Sequence, residues 1–158
     1  MLKHAISIFR ILLFIPLLLA CSSDERTPEE QIRAMLTAGE TAVESRSVTA
    51  SAAFISERYN DESGRQRKDI MRLLAGYFLT HQKIHLLVQV NRIELIDENR
   101  AEVLLFAAIA GRPETSLEQL FSLRANLVRF DLKLQKKGEE WLVYSSRWRR
   151  AQQSDFME

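Results

Sequence analysis

Cysteine is nearly absent from this chain of 158 residues, in which Cys21 is the only one. A lone thiol forms no disulfide within the chain, so side-chain packing alone must stabilise the fold. Glycine is also scarce, with five residues, and their scattered positions form no phosphate-binding loop. The sequence has no internal repeat and no low-complexity segment. These absences exclude a disulfide scaffold, a nucleotide-binding loop and a repeat architecture, and no cofactor is predicted.

An excess of charge of either sign is lacking as well. The chain carries 22 Lys and Arg residues against 21 Asp and Glu residues, which gives a formal net charge of +1. Such a balance provides no general attraction to nucleic acid, so no nucleic acid partner is predicted. The length and composition are those of one domain with a sizeable core.

Long hydrophobic runs are missing too. The apolar run over residues 11–19 is about half as long as the roughly 20 residues that a membrane-spanning helix needs, and Pro16 interrupts it. Lys3, His4 and Arg10 precede this run. A basic start followed by a short apolar stretch is typical of a signal peptide, which predicts cleavage rather than a permanent span.

The end of the run, Leu18-Leu19-Ala20-Cys21, resembles the lipobox of bacterial lipoproteins. The resemblance implies that residues 1–20 are removed and that Cys21 receives acyl chains such as palmitate, which in pairs or threes anchor a protein stably. Ser22 stands where enterobacterial inner-membrane lipoproteins carry Asp, which implies the periplasmic face of the outer membrane. Residues 21–26 would be a lipid-anchored tether. A secretory signal without lipid is the alternative, but it leaves the position of the cysteine unexplained.

Helical periodicity predicts three helices in the first half of the remaining chain. Thr27, Pro28 and Glu30 form a capping-box start for the first of them. A short second helix is predicted over Val48–Phe54 and a third from about Arg65 to Thr80.

A period of two replaces the helical period after Ile84, which predicts antiparallel strands. The apolar face of the first strand switches between Asn91 and Ile93, and this shift predicts a bulge or a sharp bend. Residues 116–124 fit either a short helix or a loop. The remaining predicted strands are Ala101–Ala110, Val128–Gln135 and Trp141–Arg150.

Three helices followed by such strands predict an α+β fold, with the helices packed on a strongly bent antiparallel sheet of about four strands. This order resembles the cone-shaped fold of the nuclear-transport-factor-2-like superfamily, which includes SnoaL-like and ketosteroid-isomerase-like domains. The resemblance rests on the element order, on the stretch 54–64 leading into a helix that ends Gly76-Tyr77-Phe78, and on the closing hairpin at Gly138. It implies a domain over residues 27–152 with a pocket between helices and sheet. Residues 153–158 are expected to be a flexible tail.

Two residues, His85 and Asp131, are candidates for acid–base catalysis, with Tyr77 as a partner. The resemblance implies this role, because enzymes of the superfamily use a pocket Asp or His as general base. Asp131 would act as a base if its apolar neighbours on the strand enclosed it in a pocket. The alternative is that Asp131 pairs with Arg129 and Lys133 on a solvated strand face.

Ligand binding is predicted from aromatic and polar side chains, since small-molecule pockets are mostly apolar with a few directed polar groups. The alternative for the aromatic residues is a place in the core. The candidates are Tyr59, Tyr77, Phe78, His85 and Trp148.

No metal site is predicted. His81 and His85 are four residues apart, which would suit two ligands on one helix, but the strand pattern begins between them and no third ligand is evident. The basic residues at Arg147–Arg150 and along the third helix (Arg65, Arg67, Lys68, Arg72) read either as charged, solvated surfaces or as docking sites.

The function expected from these observations is that of a non-enzymatic, lipid-anchored periplasmic domain. It would bind the membrane through Cys21 and hold a small apolar ligand or an envelope protein. One alternative is a small isomerase- or hydrolase-like enzyme using the residues above, and another is a structural or assembly factor at the outer membrane. A homodimer would pack its sheets through Leu87, Leu105 and Phe106.

Overall fold

The computed structural model describes residues 26–110, 127–152 and 155. The predicted signal peptide, Cys21 and the ambiguous segment over residues 116–124 lie outside these residues. So does most of the predicted tail. No helix in the described part of the chain is long and apolar enough to cross a membrane.

Three helices come first, as predicted. The first, α1, covers Pro28–Glu44, and its capping box is formed: the Thr27 N–H donates to the Glu30 carboxylate at 2.7 Å while the Thr27 hydroxyl accepts from the Glu30 N–H at 3.3 Å. The second, α2, covers Val48–Ala52, and the third, α3, covers Arg67–Thr80.

Two helix boundaries differ from the prediction, and tertiary hydrogen bonds explain both. Helix α2 ends before Phe54 because the Phe54 carbonyl accepts from the Val143 N–H at 2.9 Å, which draws the chain to the sheet. Helix α3 begins after Arg65 because the Asp61 carboxylate accepts the Arg65 N–H at 3.0 Å and holds this residue in the preceding loop.

Four strands form one antiparallel sheet in the order β1-β2-β3-β4: β1 is His85–Asp97, β2 is Arg100–Ala110, β3 is Leu127–Lys137 and β4 is Glu140–Arg150. The register between β1 and β2 shifts between Val90 and Arg92, where a bend was predicted. Gly138 has a positive φ of 63° in the turn between β3 and β4, which glycine adopts without steric cost. The α+β fold with three helices on a curved four-stranded sheet is confirmed.

The core lies between the helices and one face of the sheet. Ile32 from α1 and Tyr59 from the loop before α3 are both buried there. The Trp141 indole N–H donates to Gln31 at 3.3 Å and ties the start of β4 to the first turn of α1. The sheet contributes Ala101, Val103, Leu105, Leu132, Leu134, Trp141 and Val143.

Alternation along the strands gives the sheet two unlike faces. The helix-side face carries the core residues. The opposite side, called the outer face here, carries two rows of paired residues that run across the strands. These rows are Gln89, Phe106, Arg129 and Arg149, and Arg92, Leu104, Asp131 and Arg147.

Candidate functional site

A row of four apolar side chains crosses the helix-side face from β1 to β4 and is called the helix-side row. Its members, paired in register, are Val90, Leu105, Phe130 and Trp148. Leu105 is buried, whereas the other three are half-buried. The rings of Phe130 and Trp148 lie 6.2 Å apart. An apolar surface that remains partly open within a covered sheet face is the kind of surface that binds an apolar ligand.

Exposure varies along the helix-side face of the sheet. Ala101 and Leu134, near the two hairpin turns, are 1% and 0% exposed. Farther from the turns, Val88, Val90 and Phe130 are half-buried although they face the same layer. Two parts of this face therefore stay open: Leu95, which pairs with Ala101 at the β1 edge of the turn end and is 46% exposed, and the surface formed by Val88, Val90 and Phe130.

Helix α3 carries a stripe of half-buried residues on the side that packs against the core. Ile70 packs against the core, and Leu74 and Tyr77 follow it on the same side of the helix. The Tyr77 ring stacks on His81 with a centroid distance of 3.9 Å, and burial raises the pKa of Tyr77. Phe78 is 4% exposed and is a packing residue. Tyr77 is the predicted ligand residue on this helix that keeps accessible surface.

A group of polar residues closes the β4 edge of the helix-side row and is called the polar edge: Tyr59, Asp61, Arg65 and Ser146. The Tyr59 hydroxyl lies 2.6 Å from the Ser146 hydroxyl and donates to Asp61 at 3.3 Å. The Arg65 guanidinium lies 3.9 Å from the centroid of the Trp148 ring, a cation–π contact. Polar groups and an aromatic surface thus meet at one place.

Asp61 organises the polar edge. Its carboxylate accepts from the Ser63 N–H at 2.9 Å, from the Arg65 N–H at 3.0 Å and from Arg65 Nε at 2.7 Å. Burial by itself would raise the pKa of Asp61, but the hydrogen bonds from Arg65 and Ser63 outweigh it and hold the pKa below its usual value. Burial raises the pKa of Tyr59, so this hydroxyl stays protonated.

Asp131 lies on the outer face among arginine side chains. It pairs with Arg129 Nη2 at 3.2 Å and with Arg147 Nε at 3.9 Å. This is the solvated, ion-paired arrangement that the sequence left open as the alternative, and no apolar pocket surrounds the carboxylate. A groove of about 280 Å³ opens beside it, with Arg92, Glu102 and Ser145 among its walls.

Asp155 lies against the outer face and is 3% exposed. Its carboxylate accepts from Arg129 Nη1 at 3.0 Å, from Arg149 Nη1 at 2.8 Å and from the Gln152 N–H at 2.7 Å. Arg149, Gln152 and Arg129 hold the pKa of Asp155 well below its usual range. The flexible tail over residues 153–158 stays a prediction; within it, the Asp155 carboxylate lies between two arginines that stand opposite each other on β3 and β4 and pairs with both.

His85 also lies away from the helix-side row. It is half-buried at the start of β1, and strand alternation places it on the outer face because Val88 faces the core. His81 is engaged with Tyr77, and in the described residues no three His, Cys, Asp or Glu side chains are grouped to hold a metal ion. The structure therefore separates the two predicted catalytic residues from the aromatic ones.

The residues proposed for a sheet-packed homodimer are not an exposed surface. Leu105 is 5% exposed and belongs to the core, and Phe106 is 0% exposed on the outer face. Leu87 is half-buried. Alternation predicted an apolar strand correctly here, but it did not show that Phe106 is covered within the chain.

Sequence reasoning missed three residues of the site. Asp61 belonged to a stretch that was interpreted as a polar turn. The sequence signal that could have identified it is the presence of Ser63 and Gly64 two and three positions later, which is typical of an Asx turn. Arg65 was assigned to the wet side of α3, and Ser146 carried no signal. Tyr59, Tyr77 and Trp148 were selected from the sequence and lie on the helix side.

No family model matches the chain, and no curated protein matches it. Several solved structures, however, are similar to this chain in shape. An NTF-2 like protein of unknown function from Shewanella oneidensis aligns with a TM-score of 0.57 at 14% identity, over 77% of this chain and 98% of that chain. A scytalone-dehydratase-like protein from Novosphingobium aromaticivorans aligns with a TM-score of 0.61 at 13% identity, over 78% and 84%.

A third similar structure is larger. Bd1075 from Bdellovibrio bacteriovorus aligns with a TM-score of 0.60 at 10% identity, over 78% of this chain but 41% of that one. The chain thus spans about two fifths of the length of Bd1075. At these identities the likeness concerns shape, and together with the helices and the curved sheet it shows that the chain has the nuclear-transport-factor-2-like fold.

Proposed function

We propose that this protein is a lipid-anchored binding protein of the bacterial envelope, without catalytic activity, that holds a small apolar ligand on the helix-side row. Lipidated Cys21 would tether the domain to the periplasmic face of the outer membrane. The observation that carries the binding proposal is the partly open apolar surface formed by Val90, Phe130 and Trp148 beside the buried core of the same sheet face.

The separation of the candidate catalytic residues favours binding over catalysis. Asp131 pairs with Leu104 of β2 and His85 pairs with Ala110 of the same strand. Six residue steps along β2 separate these partners, which corresponds to about 20 Å at a rise of about 3.3 Å per residue. Both residues also lie on the face opposite the apolar row, so neither joins Tyr77 in one pocket.

The fold is compatible with either activity, so the site must decide. The Novosphingobium protein bears the name of a dehydratase, which makes an isomerase- or hydrolase-like enzyme the natural competitor. A general base needs to lie within hydrogen-bonding reach of the group it deprotonates. On the helix side, the polar edge offers a Tyr59 hydroxyl and an Asp61 carboxylate that are already bonded to each other.

A second candidate function is the docking of an envelope protein on the outer face, as an assembly factor would require. The charged groove beside Asp131 favours it, because Arg92 and Arg147 line that groove and are exposed. Charged groups in such positions govern the rate and selectivity of association more than its strength.

Native mass spectrometry of the lipoprotein, extracted gently from its own envelope, tests these functions. We expect an additional mass, beyond the acyl chains, that corresponds to a small molecule. Val90→Trp should remove this mass by filling the helix-side row. The matched control is Gln89→Trp, the same substitution on the adjacent residue of the outer face, which should keep the ligand.

Each other outcome has a definite meaning. Ligand retained in a folded Val90→Trp variant, or wild-type protein that carries no ligand, would contradict the proposal. A complex heavier by a whole protein would support the assembly role instead. Thermal unfolding of both variants establishes that they are folded.

The lipid anchor is tested separately. Cys21→Ser should release the protein from the membrane fraction, and membrane retention of this variant would argue against lipidation.

A further inference from the structure

We infer that the ligand of the helix-side row is an amphiphile with one apolar chain and an anionic oxyacid head group, and that Arg65 binds this head group. The inference rests on the proposed function and names the class of ligand for the same site. Its basis is the placement of one guanidinium at the end of a continuous apolar row, where the row meets solvent.

The position of Arg65 follows from the loop that precedes α3. Asp61 receives Arg65 Nε at 2.7 Å, and Ser63 Oγ receives Nη2 at 3.2 Å, so two separate bonds orient the guanidinium plane. The plane lies over the Trp148 ring, which is the last apolar group of the row at the β4 edge. A cation that is held in place loses little conformational entropy on binding a ligand.

Arg65 keeps donors for a ligand. A guanidinium has five N–H donors, and within the described part of the chain Nη1 of Arg65 makes no hydrogen bond. Its side chain is 33% exposed, whereas that of Asp61 is 1% exposed. A ligand approaching from solvent therefore meets the cation and not the carboxylate.

The negative charge of Asp61 does not cancel the attraction of this arginine. The carboxylate is also satisfied by the Ser63 and Arg65 N–H groups and by the Tyr59 hydroxyl. These three donors and Arg65 Nε share the charge of the Asp61 carboxylate. The face of the guanidinium turned away from Asp61 therefore remains electropositive. Guanidinium groups bind carboxylates and phosphates through paired, charge-assisted hydrogen bonds.

The length of the helix-side row suits a single alkyl chain. Its four members stand on four adjacent strands, so it spans about 14 Å at the usual spacing of about 4.8 Å between strands. The row begins at half-buried Val90 and ends under Arg65, which gives it an apolar length and one charged end. This is the distribution of polarity along an amphiphile with one anionic head.

Calorimetry with a matched set of twelve-carbon probes tests the inference on the chain from residue 21 to 158 carrying Cys21→Ser, so that no acyl chain of its own competes. The probes are dodecanoate, dodecyl phosphate, dodecanol and dodecyltrimethylammonium. We expect at least one of the two anions to bind about tenfold or more tightly than dodecanol, on the scale of one charge-assisted hydrogen bond. Which anion binds better identifies carboxylate or phosphate as the natural head group.

Arg65→Gln should remove this preference while leaving dodecanol binding within about twofold of wild type. The matched control is Arg72→Gln, which removes an arginine of α3 that is 75% exposed and, among the described residues, pairs with Asp69 alone. This variant should change neither the affinity for the anions nor that for dodecanol. Arg65→Lys keeps the charge and should retain part of the preference for anions. Thermal unfolding shows whether each variant is folded. If Arg65→Gln does not fold, the anion preference of Arg65→Lys provides the test.

The outcomes separate the two proposals. If dodecanol binds but the anions bind no better, or if the cation binds as well as the anions, Arg65 does not select the head group and the inference is wrong while the proposed function stands. An anion preference that persists in folded Arg65→Gln also overturns it. If none of the probes binds, the apolar site itself is refuted.

Discussion

The two faces of the sheet show how one set of strands produces two unlike surfaces. On the helix side, Val90, Phe130 and Trp148 form a partly open apolar row that ends at Arg65. On the outer side, the residues next to Phe130 and Trp148 are charged and are joined in ion pairs around Asp131 and Asp155. This difference is the reason for proposing that an apolar ligand binds on the helix side, whereas the outer face carries charged pairs beside an open groove.

The largest effect expected from a single substitution lies at the turn end of the helix side. Leu134→Ala should lower the free energy of unfolding by about 2–5 kcal/mol, because Leu134 is 0% exposed and truncation leaves a cavity. Lys133→Ala, the adjacent residue on the outer face, should change it by less than about 0.5 kcal/mol. Urea denaturation measures both values. Equal changes in the two variants would mean that the two faces of the sheet contribute equally to the free energy of unfolding.

The outer face should be sensitive to acid through Asp155. Its pKa is lowered in the folded state, so its contribution to stability is present above the unfolded pKa of about 3.9 and is lost as the pH falls toward the folded value. Wild type should therefore be more stable than Asp155→Asn at pH 7. The difference should shrink once the pH drops below about 4. Denaturation curves at several pH values check this, and a difference independent of pH would be inconsistent with the Arg149–Asp155 pair.

The polar edge should respond more weakly. Tyr59→Phe removes the hydroxyl that bonds Ser146 and Asp61 and should cost about 0.5–1.5 kcal/mol. The comparison variant is Tyr144→Phe, since in the described residues the Tyr144 hydroxyl makes no hydrogen bond. Urea denaturation should show little change for it. A Tyr59→Phe variant as stable as wild type would show that the polar edge does not stabilise the fold.

The smallest change is expected at Arg147. Its side chain is 63% exposed and its contacts with Glu62 and Asp131 are 3.7 Å and 3.9 Å long, so solvent screens both. Arg147→Gln should alter the free energy of unfolding by less than about 0.5 kcal/mol. If this variant unfolds much more readily, the outer groove is a structural element and not an available docking surface.

Local patterns in the sequence predicted most of the fold. The capping box at Thr27, the strand alternation and the bend between Asn91 and Ile93 each depend on residues close together in the chain, and each is present. The two helix boundaries at Phe54 and Arg65 were displaced. In both cases a hydrogen bond from the rest of the structure overrides the local preference.

The candidate site was predicted only in part. Tyr59, Tyr77 and Trp148 were recognised as aromatic groups on amphipathic elements, and they lie on the helix side. His85 and Asp131 were chosen for their chemistry, but alternation along their strands sets them on the outer face. A pairing of side chains across strands cannot be read from one strand, since it depends on the register of its neighbours.

The sequence by itself determined the element types, the bent sheet and the alternation that makes one face apolar, because periodicity and capping act over a few residues. It also carries the lipobox on which the proposed anchor rests. The tertiary structure alone decided that Arg65 lies over Trp148 and that Asp155 forms ion pairs with both Arg129 and Arg149. Each of these contacts joins segments that only the closed chain brings together, since a side chain's partner is set by strand register and loop path.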